Sequence, residues 1–255
     1  MTLTETQEFF CEWNAERLGI SIEESRKRYI GSLGSLPGGH RGLAYKQFMY
    51  LSYSLYQVLI GNTSGELMES YRFHAPLLLL SRVIRAEQPS PEERSIVLEH
   101  LTSCHPPEVR ITDFGCGLAP LAQHFATEVM AQGVKVRLTL ADISTINKSF
   151  LLWLCQKRGI PAEFVECSEA CPLPVLPKAD LCIATEFFEH VYDPVPYLDA
   201  LDRGISPGGL LLTSTWDHKP EFLHVHPDLA CIRSRLDALG YTAILPNRMY
   251  RKPAA

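Results

Sequence analysis

The sequence has no excess of positive charge and no long apolar run. Its 255 residues carry 24 Lys and Arg against 29 Asp and Glu, a formal net charge of −5. A protein that grips nucleic acid broadly would show a basic patch, so this balance argues against RNA or DNA as the main partner. The longest apolar stretch, residues 76–80, is too short to span a bilayer. The first residues also lack the basic and apolar regions of a signal peptide. We therefore expect no membrane partner.

Paired cysteine spacings of the CxxC type are also absent. The closest pair is Cys167 and Cys171, and most of the other cysteines lie inside apolar runs. This pattern is typical of reduced core thiols rather than a disulfide framework, and it predicts a cytoplasmic protein. The eight residues concerned are Cys11, Cys104, Cys116, Cys155, Cys167, Cys171, Cys182 and Cys231.

What the sequence does contain is a glycine loop between a strand-like and a helix-like stretch, at residues 113–120 (DFGCGLAP). Gly115 and Gly117 allow positive φ and let a ligand approach the backbone. Pro120 suits the first turn of the helix that follows. A strand that breaks at glycines and restarts as a helix predicts a cradle for a nucleotide-type ligand.

The chain downstream fits this cradle. Residues 134–141 alternate like a strand and end at Asp142, where an acid can accept both hydroxyls of a ribose. A helix over 144–158, strands over 162–167 and 179–185, a helix over 194–203 and a strand entered through Pro207-Gly208-Gly209 are predicted next. Alternating strands and helices predict an α/β fold with a doubly wound, mostly parallel sheet.

These landmarks together resemble the class I S-adenosylmethionine-dependent methyltransferases. The resemblance implies a seven-stranded Rossmann-like sheet and S-adenosyl-L-methionine as cofactor. It implies that Asp142 binds the ribose, and that the loop after the third strand contacts the adenine through Cys167, Ser168 or Glu169. The full set of expected cofactor-binding residues is Asp113, Gly115, Cys116, Gly117, Asp142, Ile143, Cys167, Ser168 and Glu186.

Residues before about 108 show helical periodicity only, with helices predicted over 4–18, from Ser21, over 43–60, over 66–86 with an interruption near Pro76, and over 90–103. We expect two parts: a helical, acceptor-binding cap over 1–107 and a cofactor-binding domain over 108–255. Aromatic residues of the cap are candidates for the acceptor pocket, although helix–helix packing is the more common role for any single one of them: Tyr45, Tyr50, Tyr53, Tyr56, Tyr71, Phe73 and His74.

A second cluster follows the fourth strand. In a helical turn, Glu186, Glu189 and His190 would share one face, where they could bind Mg, Mn, Fe or Zn. This E-x-x-E-H pattern resembles the ubiquinone-pathway O-methyltransferases and the small-RNA 2′-O-methyltransferases, both of which use a divalent ion. His224 or His226 is then the expected fourth ligand, with His218 a weaker choice. Without a metal, His190 could act alone as general base beside Glu189.

The predicted activity is methyl transfer to the oxygen of a hydroxylated small molecule, because the charge and the aromatic cap favour a small acceptor. Nitrogen and carbon acceptors, and 2′-O-methylation of RNA, stay open as alternatives. A binding protein that has kept the fold without the activity is another class, and a nicotinamide-dependent oxidoreductase shares the same βαβ logic.

Overall fold

The computed structural model describes residues 3–35, 63–84, 87–103, 106–219 and 224–254. The helix predicted over 43–60 and most of the loop before it lie outside the described residues. The same holds for four aromatic residues proposed for the pocket, namely Tyr45, Tyr50, Tyr53 and Tyr56.

The described part of the N-terminal region is helical, as its periodicity predicts. It contains α1 (Glu5–Leu18), α2 (Ile22–Ser35), α3 (Ser64–Ile84) and α4 (Pro91–Thr102). Reciprocal capping boxes, in which a side-chain oxygen and a backbone N–H satisfy each other, begin α1 at Thr4 and α4 at Ser90. Gly19 ends α1 in the left-handed conformation with φ 64°.

The prediction that the helix is interrupted near Pro76 is wrong. Helix α3 runs without a break through Pro76, which lies on its exposed side. Proline removes one backbone donor from the helix. Packing of the buried residues Ala75, Leu79 and Val83 holds the segment helical around it.

The sheet has seven strands in the order β3-β2-β1-β4-β5-β7-β6. All neighbours are parallel except β7, which is antiparallel to both β5 and β6. This confirms the predicted α/β fold with a mostly parallel, doubly wound sheet. The strands are β1 (Glu108–Phe114), β2 (Lys135–Ile143), β3 (Ala162–Cys167), β4 (Ala179–Ala184), β5 (Ile205–Thr213), β6 (Thr242–Leu245) and β7 (Met249–Arg251).

Helices cover both faces of the sheet. They are α5 (Pro120–Ala131), α6 (Ile146–Lys157), α7 (Val195–Gly204) and α8 (Ala230–Ala238). One apolar cluster joins α5 and α6 to the N-terminal helices, where Phe150 packs against Phe10 and Trp13. A second cluster holds α7 and α8 on the opposite face. The division into two parts at residue 107 stays a prediction.

The strand order reverses between β1 and β4, since β2 continues on one side and β5 on the other. In open α/β sheets, ligands bind beyond the carboxyl ends of the strands at such a switch point. The glycine loop, Asp142 and the Glu186–His190 segment all follow strands that end there.

Candidate functional site

A cleft lies beyond the carboxyl ends of β1, β2 and β4, with α3 along one side. Gly115 and Asp142 contribute to it from the sheet, and His190 contributes from the loop after β4. Leu67, Tyr71, Ala75, Leu78 and Arg82 line it from α3. The sheet and the N-terminal helices therefore build the site jointly.

The glycine loop requires its glycines. Gly115 and Gly117 have φ of 67° and 52°, in the left-handed region that favours glycine. A Cβ on Gly115 would overlap the Phe187 ring, and a Cβ on Gly117 would overlap the guanidinium of Arg82. The missing side chains of the two glycines thus let neighbouring groups approach the loop backbone closely, as the sequence predicts. Cys116 is buried between the two glycines.

Asp142 is fixed by the backbone at the end of β2. Its Oδ2 accepts the N–H of Gly117 at 2.7 Å, and its Oδ1 accepts the N–H of Ile143 at 2.7 Å. Burial raises the pKa of Asp142, while Arg82 and the two backbone donors oppose the rise. Each oxygen keeps lone-pair capacity for a further donor. The carboxylate is held as a preformed acceptor facing the cleft.

Asp113 lies deeper, at the end of β1, with 5% of its surface exposed. Burial raises its pKa well above the usual range, and the charges of Asp142 and Glu87 raise it further. The charge of Arg82 works in the opposite direction. Asp113 lines a second cavity beside the glycine loop, which it shares with Arg82, Glu87 and Glu186.

Arg82 is a site residue that the sequence prediction missed. It reaches from α3 to the glycine loop and lines both cavities. Its charge acts on Asp113 and Asp142 together. A cation inside an otherwise apolar stretch of a helix was the available signal, because such a charge needs a partner of opposite sign or a ligand.

The loop after β3 supplies fewer contacts than predicted. Cys167 lines the cleft, and burial raises the pKa of its thiol to about 12. Ser168 and Cys171 form a tight turn, in which each backbone N–H donates to the other residue's carbonyl at 3.1 Å. Ser168 is not among the residues that line the cleft, whereas Pro172 and Ile143 are.

The segment after β4 differs from the predicted helical turn. A 3₁₀ turn covers only Phe188–His190, and Glu186 precedes it with φ of 50°. A left-handed backbone at a non-glycine residue is strained and is seen at functional sites. The Oγ of Ser214 donates to the Glu186 carboxylate at 3.1 Å. Glu186 is therefore placed by this strained backbone rather than by helical spacing.

Glu189 is fully buried, and neither of its side-chain oxygens has a hydrogen-bond partner among the described residues. Its Oε1 lies 3.6 Å from Nε2 of His218 and 3.9 Å from Nε2 of His190. Burial raises the pKa of Glu189 to about 8, and the neighbouring Glu186 carboxylate contributes to the rise. A buried carboxylate without donors is costly unless a cation or proton joins it.

Three side chains converge here: Glu189, His218 and His224 offer ligand atoms within 4.8 Å of one another. The His224 ring contacts both His190 and His218, with centroids 4.9 and 5.0 Å away. His226 turns elsewhere, since its Nε2 lies 3.4 Å from Sγ of Cys231. Of the two histidines predicted as alternative ligands, His224 therefore lies in the group and His226 does not. His218, the weaker choice from the sequence, also lies in the group.

The backbone explains this choice. The carbonyl of Glu189 accepts the N–H groups of both Val225 and His226, at 2.9 and 3.0 Å. These bonds fix the path of the segment that carries the histidines, so His224 and His226 do not point to the same side.

Arg248, in the turn between β6 and β7, contacts polar side chains from several segments around the cleft. Its guanidinium bonds Glu93, the Oε1 of Glu87 at 2.9 Å and the Oγ of Ser214 at 3.2 Å. Ser214 in turn holds Glu186. The sequence prediction missed this chain of contacts, which links α4, the segment before it and the end of β5 to one edge of the cleft.

Tyr71 faces this cleft from α3. Its ring meets the His190 imidazole edge to face, with centroids 5.9 Å apart. Burial raises the pKa of Tyr71 well above the usual range; Arg82 opposes the rise, and the charges of Glu189 and Asp142 add to it.

The comparisons with known proteins agree with this geometry. Residues 68–242 match a family model described as a methyltransferase domain. The chain belongs to the class I S-adenosylmethionine-dependent methyltransferases. Membership in this family supports methyl-transfer chemistry. It decides against the nicotinamide-dependent oxidoreductase, which the sequence alone leaves open.

A curated relative of this methyltransferase is the ubiquinone biosynthesis O-methyltransferase of Dinoroseobacter shibae, 28% identical over 117 residues. The match covers 44% of this chain and 43% of that protein, so it spans less than half of either one.

Solved structures share the fold. Magnesium protoporphyrin IX methyltransferase from Synechocystis superposes with a TM-score of 0.52 at 16% identity, covering 76% of this chain and 100% of that one. A protein of Listeria monocytogenes assigned to the same class gives a TM-score of 0.50 at 16% identity, covering 98% of this chain and 88% of that one. Within the described ranges, none of the methyltransferase's helices is long and apolar enough to cross a membrane.

Proposed function

We propose that this methyltransferase methylates a hydroxyl oxygen of a small molecule, with a divalent metal ion held by Glu189, His218 and His224. The observation that carries the proposal is the buried Glu189 carboxylate, which has two imidazoles beside it and accepts no hydrogen bond from any residue that the structure describes. The match to an O-methyltransferase of ubiquinone biosynthesis supports an oxygen acceptor.

The cofactor fits the residues around the glycine loop. S-adenosylmethionine supplies an electrophilic methyl group on a sulfonium. Asp142 would accept the ribose hydroxyls, and the backbone of Gly115, Cys116 and Gly117 would lie against the nucleoside. Arg82 offers a positive charge, beside the acids Asp113 and Glu87, for a zwitterionic amino-acid group. Ile143 and Cys167 would line the adenine side.

The metal fits the three-residue group. One carboxylate and two imidazoles suit Mn, Fe or Zn better than Mg, which prefers oxygen ligands. The sequence also predicts Glu186 and His190 as ligands. Glu186 lies close enough for its charge to act on Glu189, and the His190 ring contacts that of His224. In this proposal His190 serves as the base and not as a ligand. A bound ion would lower the pKa of the acceptor oxygen and fix its position.

His190 is the proposed general base. It lines the cleft and lies against both Tyr71 and His224. An imidazole with a near-neutral pKa can take the proton of an acceptor hydroxyl as the methyl group transfers. Glu189, 3.9 Å from the His190 Nε2, would stabilise the resulting imidazolium when it is ionised.

The cleft favours a small apolar acceptor that carries a hydroxyl group. Its walls include Leu67, Met68, Leu78, Phe187 and Val191, and polar side chains such as Thr145 and Asn147 lie among them. Such a lining is typical of small-molecule sites. The net charge of −5 gives no support for RNA as the acceptor.

The test is a methyl-transfer assay with tritiated S-adenosylmethionine. Substituted phenols, aliphatic alcohols, amines and a short RNA serve as acceptors, each with and without a chelator. We expect transfer to a hydroxylated small molecule that the chelator abolishes and Mn²⁺ or Zn²⁺ restores, while S-adenosylhomocysteine still binds in a calorimeter. Full activity in the chelator would refute the metal. Transfer confined to amines or to RNA would refute the acceptor class.

A further inference from the structure

Tyr71 occupies a particular place on α3. It lies four residues after Leu67 and four before Ala75, on the helix face that lines the cleft. Its hydroxyl oxygen is buried and has no hydrogen-bond partner among the described residues. A buried hydroxyl without a partner is costly, so native proteins normally supply one from protein, water or ligand.

The surroundings of Tyr71 place that hydroxyl between two halves of the site. Asp142 and Arg82, on the cofactor side, act on it electrostatically, and so does Glu189 on the acceptor side. Its ring packs edge to face on His190, the proposed base. The methyl group must pass between these two sides, so the hydroxyl lies close to the point of transfer.

We propose that the Tyr71 hydroxyl donates a hydrogen bond to the acceptor oxygen during methyl transfer, which makes Tyr71 a catalytic residue beside His190. This inference rests on the proposed oxygen acceptor. The acceptor's proton passes to the His190 imidazole, and its oxygen lone pair forms the bond to the methyl carbon. The carbon–sulfur bond breaks with its electron pair left on sulfur, which becomes a neutral thioether. Tyr71 keeps its own proton throughout.

The donated bond has two consequences for the reaction. It stabilises negative charge as it develops on the oxygen while His190 removes the proton. It also fixes the direction of the oxygen, so that a lone pair points at the methyl group in line with the carbon–sulfur bond. The first of these effects grows as the acceptor hydroxyl becomes less acidic. The contribution of Tyr71 therefore depends on the acceptor's pKa.

The test compares Tyr71→Phe with the wild type in the tritium assay, using phenols of graded acidity from 4-nitrophenol to 4-methoxyphenol. We expect kcat to fall about 10- to 100-fold for the least acidic phenol and less for 4-nitrophenol. S-adenosylhomocysteine affinity, measured by calorimetry, should stay within about twofold. Tyr29→Phe is the matched control, since Tyr29 is another buried cap tyrosine but lies on α2 outside the cleft.

Two outcomes would overturn the role of Tyr71. A Tyr71→Phe enzyme with wild-type turnover and an unchanged dependence on phenol pKa removes the hydrogen bond to the acceptor. A loss of S-adenosylhomocysteine affinity as large as the loss of turnover assigns the hydroxyl to the cofactor instead. In both cases, methylation of the phenols by the wild type, measured in parallel, still supports the proposed function. If the wild type methylates amines but no hydroxyl compound, the oxygen acceptor and the Tyr71 role both fail.

Discussion

At the residue scale, the site is defined by a few polar side chains that can still form a hydrogen bond with a ligand. Asp142 is held by two backbone donors and keeps capacity for a ligand. Glu189 and the Tyr71 hydroxyl have no hydrogen-bond partner among the described residues. Buried polar atoms without partners are rare in folded proteins, so these two groups beside one cleft, together with the open acceptor capacity of Asp142, support the ligands proposed above.

The choice between the histidines gives a prediction. His218→Ala should abolish binding of Mn²⁺ or Zn²⁺, because it removes one of three converging ligands. His226→Ala should leave metal binding within about twofold, since the His226 ring lies against Cys231. Metal titration of chelator-treated protein in a calorimeter measures both. Equal losses in the two variants, or retention of the metal in His218→Ala, would contradict the group seen here.

Residue spacing predicted part of this site and not the rest. Gly115, Gly117 and Asp142 follow from local rules, because a glycine turn after one strand and an acid after the next are set by nearby sequence. Arg82 and His218 do not follow from such rules. Arg82 reaches the loop only because α3 packs over the sheet, and His218 reaches Glu189 only because a backbone carbonyl fixes the path of the segment that follows it.

At the element scale, the helices of the N-terminal region are attached to the sheet by apolar packing and by a polar network. Glu93 both caps α4 through Ser90 and pairs with Arg248 beside the last strand. Burial opposes ionisation of Glu93, but hydrogen bonds from Arg248 and Ser90 outweigh it and lower the pKa. The ionised carboxylate therefore stabilises the folded state.

The effect of this pair on stability depends on pH. Because the folded pKa of Glu93 is depressed, its contribution is present above the ordinary glutamate pKa and is lost as the pH falls through the folded value. Glu93→Gln can keep the capping box through its amide oxygen, and it removes the charge and the acceptor that faces Arg248. We expect a loss of about 1 kcal/mol at pH 7, or about 2–4 °C in Tm, shrinking as the pH falls below about 4.5.

Thermal denaturation followed by circular dichroism between pH 7 and pH 4 measures this difference. Glu92→Gln is the matched control, because Glu92 also lies in the first turn of α4 but is exposed. A Glu93→Gln difference that stays constant with pH, or that Glu92→Gln reproduces, would show that the charge pair contributes nothing specific.

Local sequence predicted the elements well for a physical reason. Capping residues, alternation and glycine positions act within a few residues of the chain, and the strands at 162–167 and 179–184 begin where they were expected. Two expectations failed where tertiary packing overrides local preference. Buried neighbours keep α3 helical at Pro76, and the segment after β4 forms a 3₁₀ turn because Glu186 is held outside it by Ser214.

At the scale of the whole molecule, α3 connects the two sides of the cleft that we propose for the cofactor and the acceptor. Arg82 near its end contacts the glycine loop, and Tyr71 in its first half contacts His190. A ligand that engages the glycine loop should therefore order the helix that also forms the acceptor wall. Acceptor binding is then favoured once the cofactor is present.

Hydrogen exchange followed by mass spectrometry tests this coupling. Saturating S-adenosylhomocysteine should slow exchange in α3 as well as around Asp142 and the glycine loop. Asp142→Ala should lower affinity for S-adenosylhomocysteine by about 10- to 100-fold and remove both effects at a fixed, moderate ligand concentration. If exchange slows only at the sheet edge, binding at the glycine loop does not order α3. Unchanged affinity in Asp142→Ala would remove that residue from the site.

The polar network of Arg248 also sets an order of events during synthesis. The ribosome makes the chain from its amino end, so α3, the glycine loop and Asp142 leave the exit tunnel well before His218, His224 and Arg248. A nascent chain can pair β1 with β2 and shape the nucleoside cradle early. It cannot align Glu189 with its imidazole neighbours until residues 218–224 have emerged. It cannot anchor Glu186 through Ser214 and Arg248 until the turn before β7 has emerged. Competence to bind the cofactor should thus precede competence to bind the metal.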